Sequence, residues 1–322
     1  MIVIEQKALA DLSLKVIEPF LKMWGTISPQ QHPVFSTMLH DVRRMMVFFF
    51  YKENKLIGFV IVQTNRNIFA DIFHGPVVLH RDHYPDCVKL LKNQLRKKGI
   101  VAVRVFPPHY GQCISGLISH FQWATTVVNL LRTPDQIFAG FNTNHRYGIR
   151  KAIKKEVEVI ELSSDDVDYY CEGHSKIYKI RGLKVSNEKL VMLREMFLEI
   201  LRLGKDFGYV LGIKDKATNE LIAGGIFLRI GDTVIYINGY SMRINKLSLS
   251  HLLQWHSMKM AHQFGCKHFD LHGYSLKDNK QLLAINNFKR WFGSEVIIYP
   301  QTSVIGLIPG VILVSRLLNK KL

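Results

Sequence analysis

The sequence predicts an α/β (α+β) protein built from two copies of one module. The chain is 322 residues long, and the order hairpin, helix, glycine, strand occurs in it twice. A chain of this length is expected to fold around more than one core. We therefore expect two domains of one design, each a mixed and mostly antiparallel sheet flanked by helices.

The first module begins with a β-hairpin. Met45–Tyr51 and Leu56–Val62 are apolar, β-prone runs joined by a polar turn. A helix is predicted from about Tyr84 to Lys98, because valine and leucine recur on one face and a glycine follows. The next apolar run, Ile100–Phe106, ends at two prolines and predicts a buried strand.

The second module repeats this plan. Tyr209–Ile213, Leu221–Ile230 and Thr233–Tyr240 predict an antiparallel meander with short polar turns. A helix from about Ser248 to Phe264 stops at a glycine, and the strand Lys267–Leu271 follows.

Helix starts lie between the two copies. Thr133-Pro134-Asp135-Gln136 has the pattern of a capping box with proline at the first helical position, and further helices are predicted from near Ser163 and Ser186. We place the first domain at 1–132 and the second at 133–300. For the C-terminal segment 301–322, packing back on the first domain and lying in a membrane interface both remain open.

The charge balance narrows the class of partner. Lys and Arg number 43 against 26 Asp and Glu, which gives a formal net charge of +17. A field of this sign favours nucleic acid, pyrophosphate-bearing precursors or an anionic membrane surface. A solvated basic surface without a specific partner is the alternative.

The cysteine pattern indicates a reducing compartment. The four cysteines are far apart and include no CxxC pair, so neither a disulfide framework nor a zinc site is predicted. The N-terminus lacks the basic start and apolar core of a signal peptide. We expect a cytoplasmic protein, in peripheral contact with the inner membrane face if the basic surface binds lipid.

A basic helix precedes the second module. Arg146, Arg150 and Lys154 recur every four residues and would share one helix face, with Lys151 in the adjacent row. Like charges stacked in this way destabilise a helix, and a phosphate-bearing partner would relieve the repulsion. A solvated helix face explains the same spacing.

The strand Lys267–Leu271 carries polar side chains toward its end. His268, Asp270 and His272 alternate and would point to one face, but no other group at ligand spacing supports a metal site. Asp270 is the stronger candidate for chemistry, because ligands collect at the ends of such strands.

Lys289 lies among the aromatic residues Phe288, Trp291 and Phe292. Aromatic walls would exclude water from a cation that stabilises a developing oxyanion. Alternatively, the lysine stem crosses an apolar face and its head reaches solvent.

Several common motifs are missing. The loop that would cradle a CoA pyrophosphate in acetyl-CoA-dependent enzymes corresponds to 241–248, which contains no glycine. No P-loop, HExxH or GxSxG pattern occurs either.

Taken together, these motifs resemble those of the Fem family of peptidoglycan-bridge aminoacyltransferases. The matching features are the basic helix from Arg146 to Ala152, Arg181-Gly182 at a helix end, Asp270 with Gly273, and the run from Phe288 to Gly293. Glu156 stands where the family usually has glycine, and residues 183–206 leave no room for the long coiled-coil arm of some members.

The resemblance implies two tandem GNAT-like domains that move an amino acid from aminoacyl-tRNA to the peptide stem of a peptidoglycan precursor, without a cofactor. It implies that Lys289 and Asp270 are catalytic, and that further residues bind the substrates: Arg146, Arg150, Lys151, Arg181, Tyr240 and Phe288. Two alternatives remain. One is a CoA-dependent N-acyltransferase acting on a polysaccharide or lipid precursor, and the other is a non-catalytic module that binds RNA or membrane.

Overall fold

The computed structural model describes residues 1–308 apart from 40, 67, 112–116, 119–121, 156, 181, 183, 216, 217, 245, 278 and 279, and apart from the side chains of 117, 118 and 281. The chain divides into two compact units. Met1–Ala124 and the segment from Ile297 onward form the first, and Thr125–Val296 forms the second. The predicted class of mixed sheets flanked by helices is confirmed.

The strands, in chain order, are β1 (Ile2–Lys7), β2 (Met45–Lys52), β3 (Lys55–Asn65), β4 (Phe69–Phe73), β5 (Val77–Val78), β6 (Ala102–Phe106), β7 (Leu117–Ile118), β8 (Ala124–Asn129), β9 (Ile160–Glu161), β10 (Gly208–Lys214), β11 (Leu221–Ile230), β12 (Thr233–Ser241), β13 (His268–Asp270), β14 (Glu295–Ile298) and β15 (Ser303–Gly306). The helices are α1 (Leu14–Trp24), α2 (Pro33–Leu39), α3 (Tyr84–Lys97), α4 (Pro134–Ala139), α5 (Thr143–Lys154), α6 (Val167–Ile180), α7 (Asn187–Leu203), α8 (Leu249–Gln263) and α9 (Lys280–Arg290).

The sheet of the first unit runs in the order β1-β2-β3-β4-β6-β15-β7, with β5 paired to β3. The β2–β3 hairpin is antiparallel, whereas β4 and β6 are parallel and are joined through α3. Helix α3 buries residues spaced three or four apart against this sheet, among them Val88, Leu91 and Leu95. Ile305 and Leu307, in and just after β15, belong to the same core although they come from the far end of the chain.

The sheet of the second unit runs in the order β14-β8-β13-β12-β11-β10-β9. Strands β10, β11 and β12 form the predicted antiparallel meander, and β12 and β13 are parallel on either side of α8 in the chain. Helix α8 packs on α5 and on the meander, and Leu249, Leu253 and Met258 are buried in that core. Helices α6 and α7 pack on each other, with Tyr170 and Phe197 fully buried between them and the sheet.

The helix start at Thr133 forms as the sequence predicts. The Thr133 hydroxyl accepts the amide of Gln136 at 3.3 Å, and the Gln136 side chain accepts the amide of Thr133 at 3.1 Å. This capping box begins α4 but does not mark the division between the units. Strand β8, which precedes the expected boundary at 132, pairs with β13 of the second unit.

Three elements near the N-terminus were not predicted: β1, α1 and α2. Strand β1 pairs with the hairpin strand β2, from Ile2 opposite Lys52 to Lys7 opposite Val47. Half of its residues are exposed, so its sequence lacks the apolar pattern of a central strand. In the part of the chain that the structure describes, the helices are too short or too polar to cross a bilayer.

Candidate active site

The parallel strands of the second unit separate at one end. Pairing between β12 and β13 runs from Thr233 opposite His268 to Ile235 opposite Asp270. Beyond this point β12 continues along β11 to Ser241, and it has no further pairs with β13 among the described residues. The residues of β12 are buried up to Ile235 and half-buried from Tyr236 to Gly239. The exposure changes where β13 leaves, so the sheet opens at the carboxyl end of β13, where ligands of open α/β sheets bind.

Asp270 is the last residue of β13 and lies at this opening. Its carboxylate accepts a hydrogen bond from the Thr125 hydroxyl and another, at 2.6 Å, from the amide of His272. The second bond forms a turn that holds His272 at a φ of +58°. Burial raises the pKa of Asp270, while the two donors and the charge of Lys289 act in the opposite direction.

Lys289 reaches the same loop from α9. Its Nζ donates to the backbone carbonyls of His272 and, at 2.5 Å, Gly273. Burial lowers its pKa to about 8, although Asp270 opposes the shift. An ammonium carries three N–H groups, and these two carbonyls are its hydrogen-bond acceptors among the described residues, which leaves one N–H for a ligand.

His272 does not supply a second positive charge here. Burial, assisted by the charge of Lys289, lowers the pKa of His272 to about 4, so its imidazole is neutral at pH 7. His268, the other member of the strand alternation, is half-buried and lies with Nδ1 3.7 Å from Asp232. In the described residues, no three His, Cys, Asp or Glu side chains converge as metal ligands would.

Asn286 holds the loop one helical turn before Lys289. Its Nδ2 donates to the Ser275 carbonyl at 2.7 Å, and its Oδ1 accepts the Ser275 amide at 3.1 Å. Residues three apart on a helix share a face, so Asn286 and Lys289 fix the loop after β13 from one side of α9. The sequence analysis missed Asn286, and its spacing from Lys289 was the signal that could have identified it.

Phe288 lies inside a cluster of rings. Its centroid is 5.0 Å from His251 and 5.6 Å from His145, and its carbonyl accepts a hydrogen bond from His145 Nε2 at 2.9 Å. The ring is half-buried and packs between α5, α8 and α9. This packing supports the shape of the site, whereas contact with substrate stays a prediction.

The basic residues of α5 differ in their surroundings. Arg146 donates to the Ala139 carbonyl at 2.5 Å and to the Thr143 hydroxyl at 3.2 Å, which occupies much of its guanidinium. Arg150 is exposed and lies over the Phe138 ring at 5.3 Å. Lys151 is half-buried on the same helix. The predicted helix is present, and Arg150 offers the more accessible guanidinium of the two.

Tyr240 does not join these groups. Tyr240 is buried with its hydroxyl donating to the Leu221 carbonyl at 3.2 Å, and burial raises its pKa. A Cβ added at Gly173 of α6 would overlap this hydroxyl, so the tyrosine fills a helix–sheet contact. Arg181 lies outside the described residues, and its role stays a prediction.

Comparisons with known proteins identify the second unit. Residues 139–290 match the family model described as acetyltransferase (GNAT) domain. These residues form a domain of the GNAT acyltransferase fold. No curated protein matches the chain by sequence.

Solved structures extend the GNAT fold to the whole chain. The structure of FemX aligns with a TM-score of 0.75 at 11% identity, covering 98% of this chain and 99% of that one. A tandem GNAT protein from the clavulanic acid biosynthesis pathway aligns at 0.59 and 13% identity over 96% and 99% of the two chains. L-PGS from Bacillus licheniformis aligns at 0.53 and 11% identity over 95% of each. The resemblance to Fem proteins is therefore confirmed in the tandem GNAT fold.

Proposed function

We propose that this protein transfers an amino acid from aminoacyl-tRNA to an amine on the peptide stem of a peptidoglycan precursor. The observation that carries the proposal is that Asp270 and Lys289 both bind the backbone of the loop after β13, where β12 and β13 separate in the GNAT domain. A carboxylate and a partly desolvated ammonium that bind the same loop suit the attack of an amine on an ester. The FemX fold adds support.

The reaction needs no covalent intermediate on the enzyme. The acceptor amine attacks the ester carbonyl of the donor, a C–N bond forms, and the C–O bond to the ribose oxygen breaks. The amine loses a proton and the leaving ribose oxygen gains one. An aminoacyl ester is activated enough that positioning and charge stabilisation can supply the rate.

Two side chains divide this work. Asp270, held by Thr125 and the amide of His272, orients the acceptor amine and accepts its proton. Lys289 directs its remaining N–H toward the oxygen that becomes negative in the transition state. The raised pKa of Asp270 makes it a better proton acceptor than an exposed aspartate.

The basic helix α5 would bind phosphate of either substrate. Arg150 and Lys151 present charge to solvent, and a net charge of +17 would attract tRNA or a pyrophosphate-linked precursor. Arg146 would contribute by holding the N-terminal turn of the helix, and Arg181 is proposed to act beside them. A cytoplasmic enzyme in peripheral contact with the inner membrane face would meet both substrates.

CoA-dependent acyl transfer is the second candidate. The matching family model is that of an acetyltransferase (GNAT) domain, and the tandem GNAT protein of the clavulanic acid pathway, in its structure without AcCoA, aligns over 96% of this chain. One observation disfavours CoA as the donor: α8 begins at Leu249 after a loop that contains no glycine. Side chains in such a loop hinder the close approach of its backbone amides to a pyrophosphate.

Purified protein offered each donor separately tests the proposal. A muramyl-pentapeptide nucleotide is incubated with charged tRNA or with acetyl-CoA, and mass spectrometry follows the acceptor. We expect an aminoacyl mass increase that depends on charged tRNA. An acetyl increase that depends on CoA alone would replace the first candidate with the second.

Lys289→Met separates catalysis from binding. Loss of one oxyanion donor typically lowers the rate by about 10²–10³-fold. Arg290→Met is the matched control, because it removes an exposed cation from the next position of α9. A non-catalytic RNA- or membrane-binding module would bind equally well in both variants and give no product in either.

A further inference from the structure

The C-terminal turn of α9 is completed by a side chain from another helix. The amide of Phe292 would ordinarily bond to the carbonyl of Phe288, four residues earlier, but it bonds to the carbonyl of Lys289 at 3.2 Å. The Phe288 carbonyl is satisfied instead by Nε2 of His145 on α5, at 2.9 Å. A carbonyl can only accept, so His145 carries a proton on Nε2.

The surroundings keep His145 neutral. The residue is only 1% exposed, and its ring lies edge-on to His251 of α8 with the centroids 4.1 Å apart. The Phe292 ring lies 4.6 Å away. Burial lowers the pKa of His145, and burial together with His145 lowers the pKa of His251 to about 3. A neutral imidazole with its proton on Nε2 is a fixed donor to α9 at physiological pH.

A second hydrogen bond from the start of α5 holds the chain just after Lys289. The amide of Asn142, at the N-terminal cap of α5, donates to the Trp291 carbonyl at 2.8 Å. The start of α5 therefore holds the residue before Lys289 and the second residue after it. The backbone that carries the lysine is thereby fixed while its Nζ spans to the loop after β13.

We propose that His145 is a positioning residue, which aims Lys289 at the opening between β12 and β13 by capping the last turn of α9. The inference rests on the proposed role of Lys289 in catalysis. His145 touches no reacting atom and acts through the peptide that joins Phe288 to Lys289. Without the cap, this turn loosens and water reaches the ammonium.

The first test measures Lys289 itself and needs no turnover. Protein labelled with ¹³C at the lysine ε-carbon is titrated by NMR, and the Lys289 signal is the one missing in Lys289→Arg. The wild-type pKa is expected near 8. In His145→Phe, which keeps a ring but has no donor, the pKa should rise by more than one unit toward 10.5, because hydration removes the cause of the depression.

Conservative variants distinguish positioning from packing. His145→Gln keeps an N–H donor of similar reach and should hold the Lys289 pKa within about half a unit of wild type. His262→Phe makes the same chemical change in the last turn of α8 and serves as the matched control. An unchanged Lys289 pKa in folded His145→Phe would overturn the inference.

Activity provides the second readout. Misplacement of a catalytic group by about 1 Å can lower the reaction rate about 10²-fold. His145→Phe should therefore lower kcat about 10²-fold and leave KM within about twofold of wild type. His145→Gln should recover most of the lost kcat. If the wild type transfers no acyl group, the proposed function fails while the NMR result still decides the positioning.

The wild-type protein gives a check that does not depend on any variant folding. Nitrogen-15 NMR of labelled histidine distinguishes the two neutral tautomers. We expect His145 to be the Nε2–H tautomer and uncharged at pH 7. The Nδ1–H tautomer would rule out the bond to Phe288 and with it the proposal.

Discussion

The ammonium of Lys289 is held by neutral oxygen atoms. Two backbone carbonyls accept its N–H groups and fix its direction without neutralising its charge, and Asp270 is the acid that stabilises the charged form. Positive charge therefore remains available to a substrate oxygen. The low pKa follows from burial, and in the proposed role of Lys289 it would set an upper pH limit on catalysis.

The transfer rate should fall as pH rises through about 8. Lys289 loses its proton there, whereas an ordinary lysine stays charged to about 10. Single-turnover rates measured from pH 6 to 10 test this, with uncatalysed ester hydrolysis subtracted. In Lys289→Arg the guanidinium stays charged, so the descending limb should disappear at whatever rate remains. An identical limb in both proteins would assign it to another group.

Thr125 should stabilise the fold through Asp270. Hydrogen bonds to a charged group contribute about 1.5–3 kcal/mol, so Thr125→Val should lower the free energy of unfolding by about 2 kcal/mol at pH 7. The neighbouring Thr126 is the matched control, because its buried hydroxyl has no partner in the described part of the chain. Urea denaturation should show Thr126→Val unchanged or stabilised, and equal losses in both variants would contradict the assignment.

Sequence reasoning singled out part of the candidate site at this scale. Asp270 and Lys289 were singled out from their local motifs, and the structure brings them to one loop. Thr125 gave no signal, because it lies 145 positions from the aspartate it binds. His145 gave none either, since its partner is a backbone carbonyl on α9, 143 positions away.

At the scale of elements, side chains of α9 fix the backbone of the loop after β13 through hydrogen bonds. Asn286 bonds to the amide and the carbonyl of Ser275. Lys289, one turn later on α9, donates to the carbonyls of His272 and Gly273. The loop is therefore ordered by side chains rather than by a strand ladder. Its geometry depends on the position of one helix.

Asn286→Ala should release this loop. A buried backbone N–H or C=O left without a partner costs about 1–3 kcal/mol, so the Ser275 amide should exchange with solvent at least tenfold faster. Asn287→Ala is the matched control, because it shortens the next side chain and keeps the helical backbone. Hydrogen exchange followed by mass spectrometry over 271–277 measures the effect, and equal exchange in both variants would show that Asn286 is dispensable.

Most of the regular elements were predictable because their patterns are local. The hairpin β2–β3, the meander β10–β12 and helix α8 have apolar periodicity and glycine or polar turns at their ends. The separation of β12 from β13 was not predictable from the sequence. It depends on where the pairing of two parallel strands stops, and no single residue marks that point. The expected strand Lys267–Leu271 pairs in register with β12 from His268 to Asp270, while the Leu271 amide still donates to the Thr126 carbonyl of β8.

At the scale of the whole molecule, the last described strand is inserted into the first sheet, between β6 and β7. Strand β15 pairs with β6 from Ser303 opposite Val105 to Gly306 opposite Ala102. Ile305 and Leu307 are buried in the first core. The order of the units along the chain is therefore interrupted: the first unit contains segments from both sides of the second.

A chain that ends at Gln301, which keeps β14 whole and lacks β15, should have a weaker first unit. Each buried apolar side chain lost removes about 1.5–3 kcal/mol, so the denaturant midpoint of this unit should fall while that of the second stays. A chain that ends at Ile308 keeps β15 and is the control. Trp24 and Trp123 report the first unit by fluorescence, and Trp255 and Trp291 the second. A shift confined to the second unit would contradict the topology.

The late position of β15 has a consequence for biosynthesis. While the ribosome is still making the second unit, the nascent first half exposes the edge of β6 that β15 later covers. Vectorial synthesis would normally let an N-terminal domain finish first. Here the second unit can reach its native state while the first still lacks β15, so a pause in translation before β15 is made would extend the time during which this edge can pair with another nascent polypeptide.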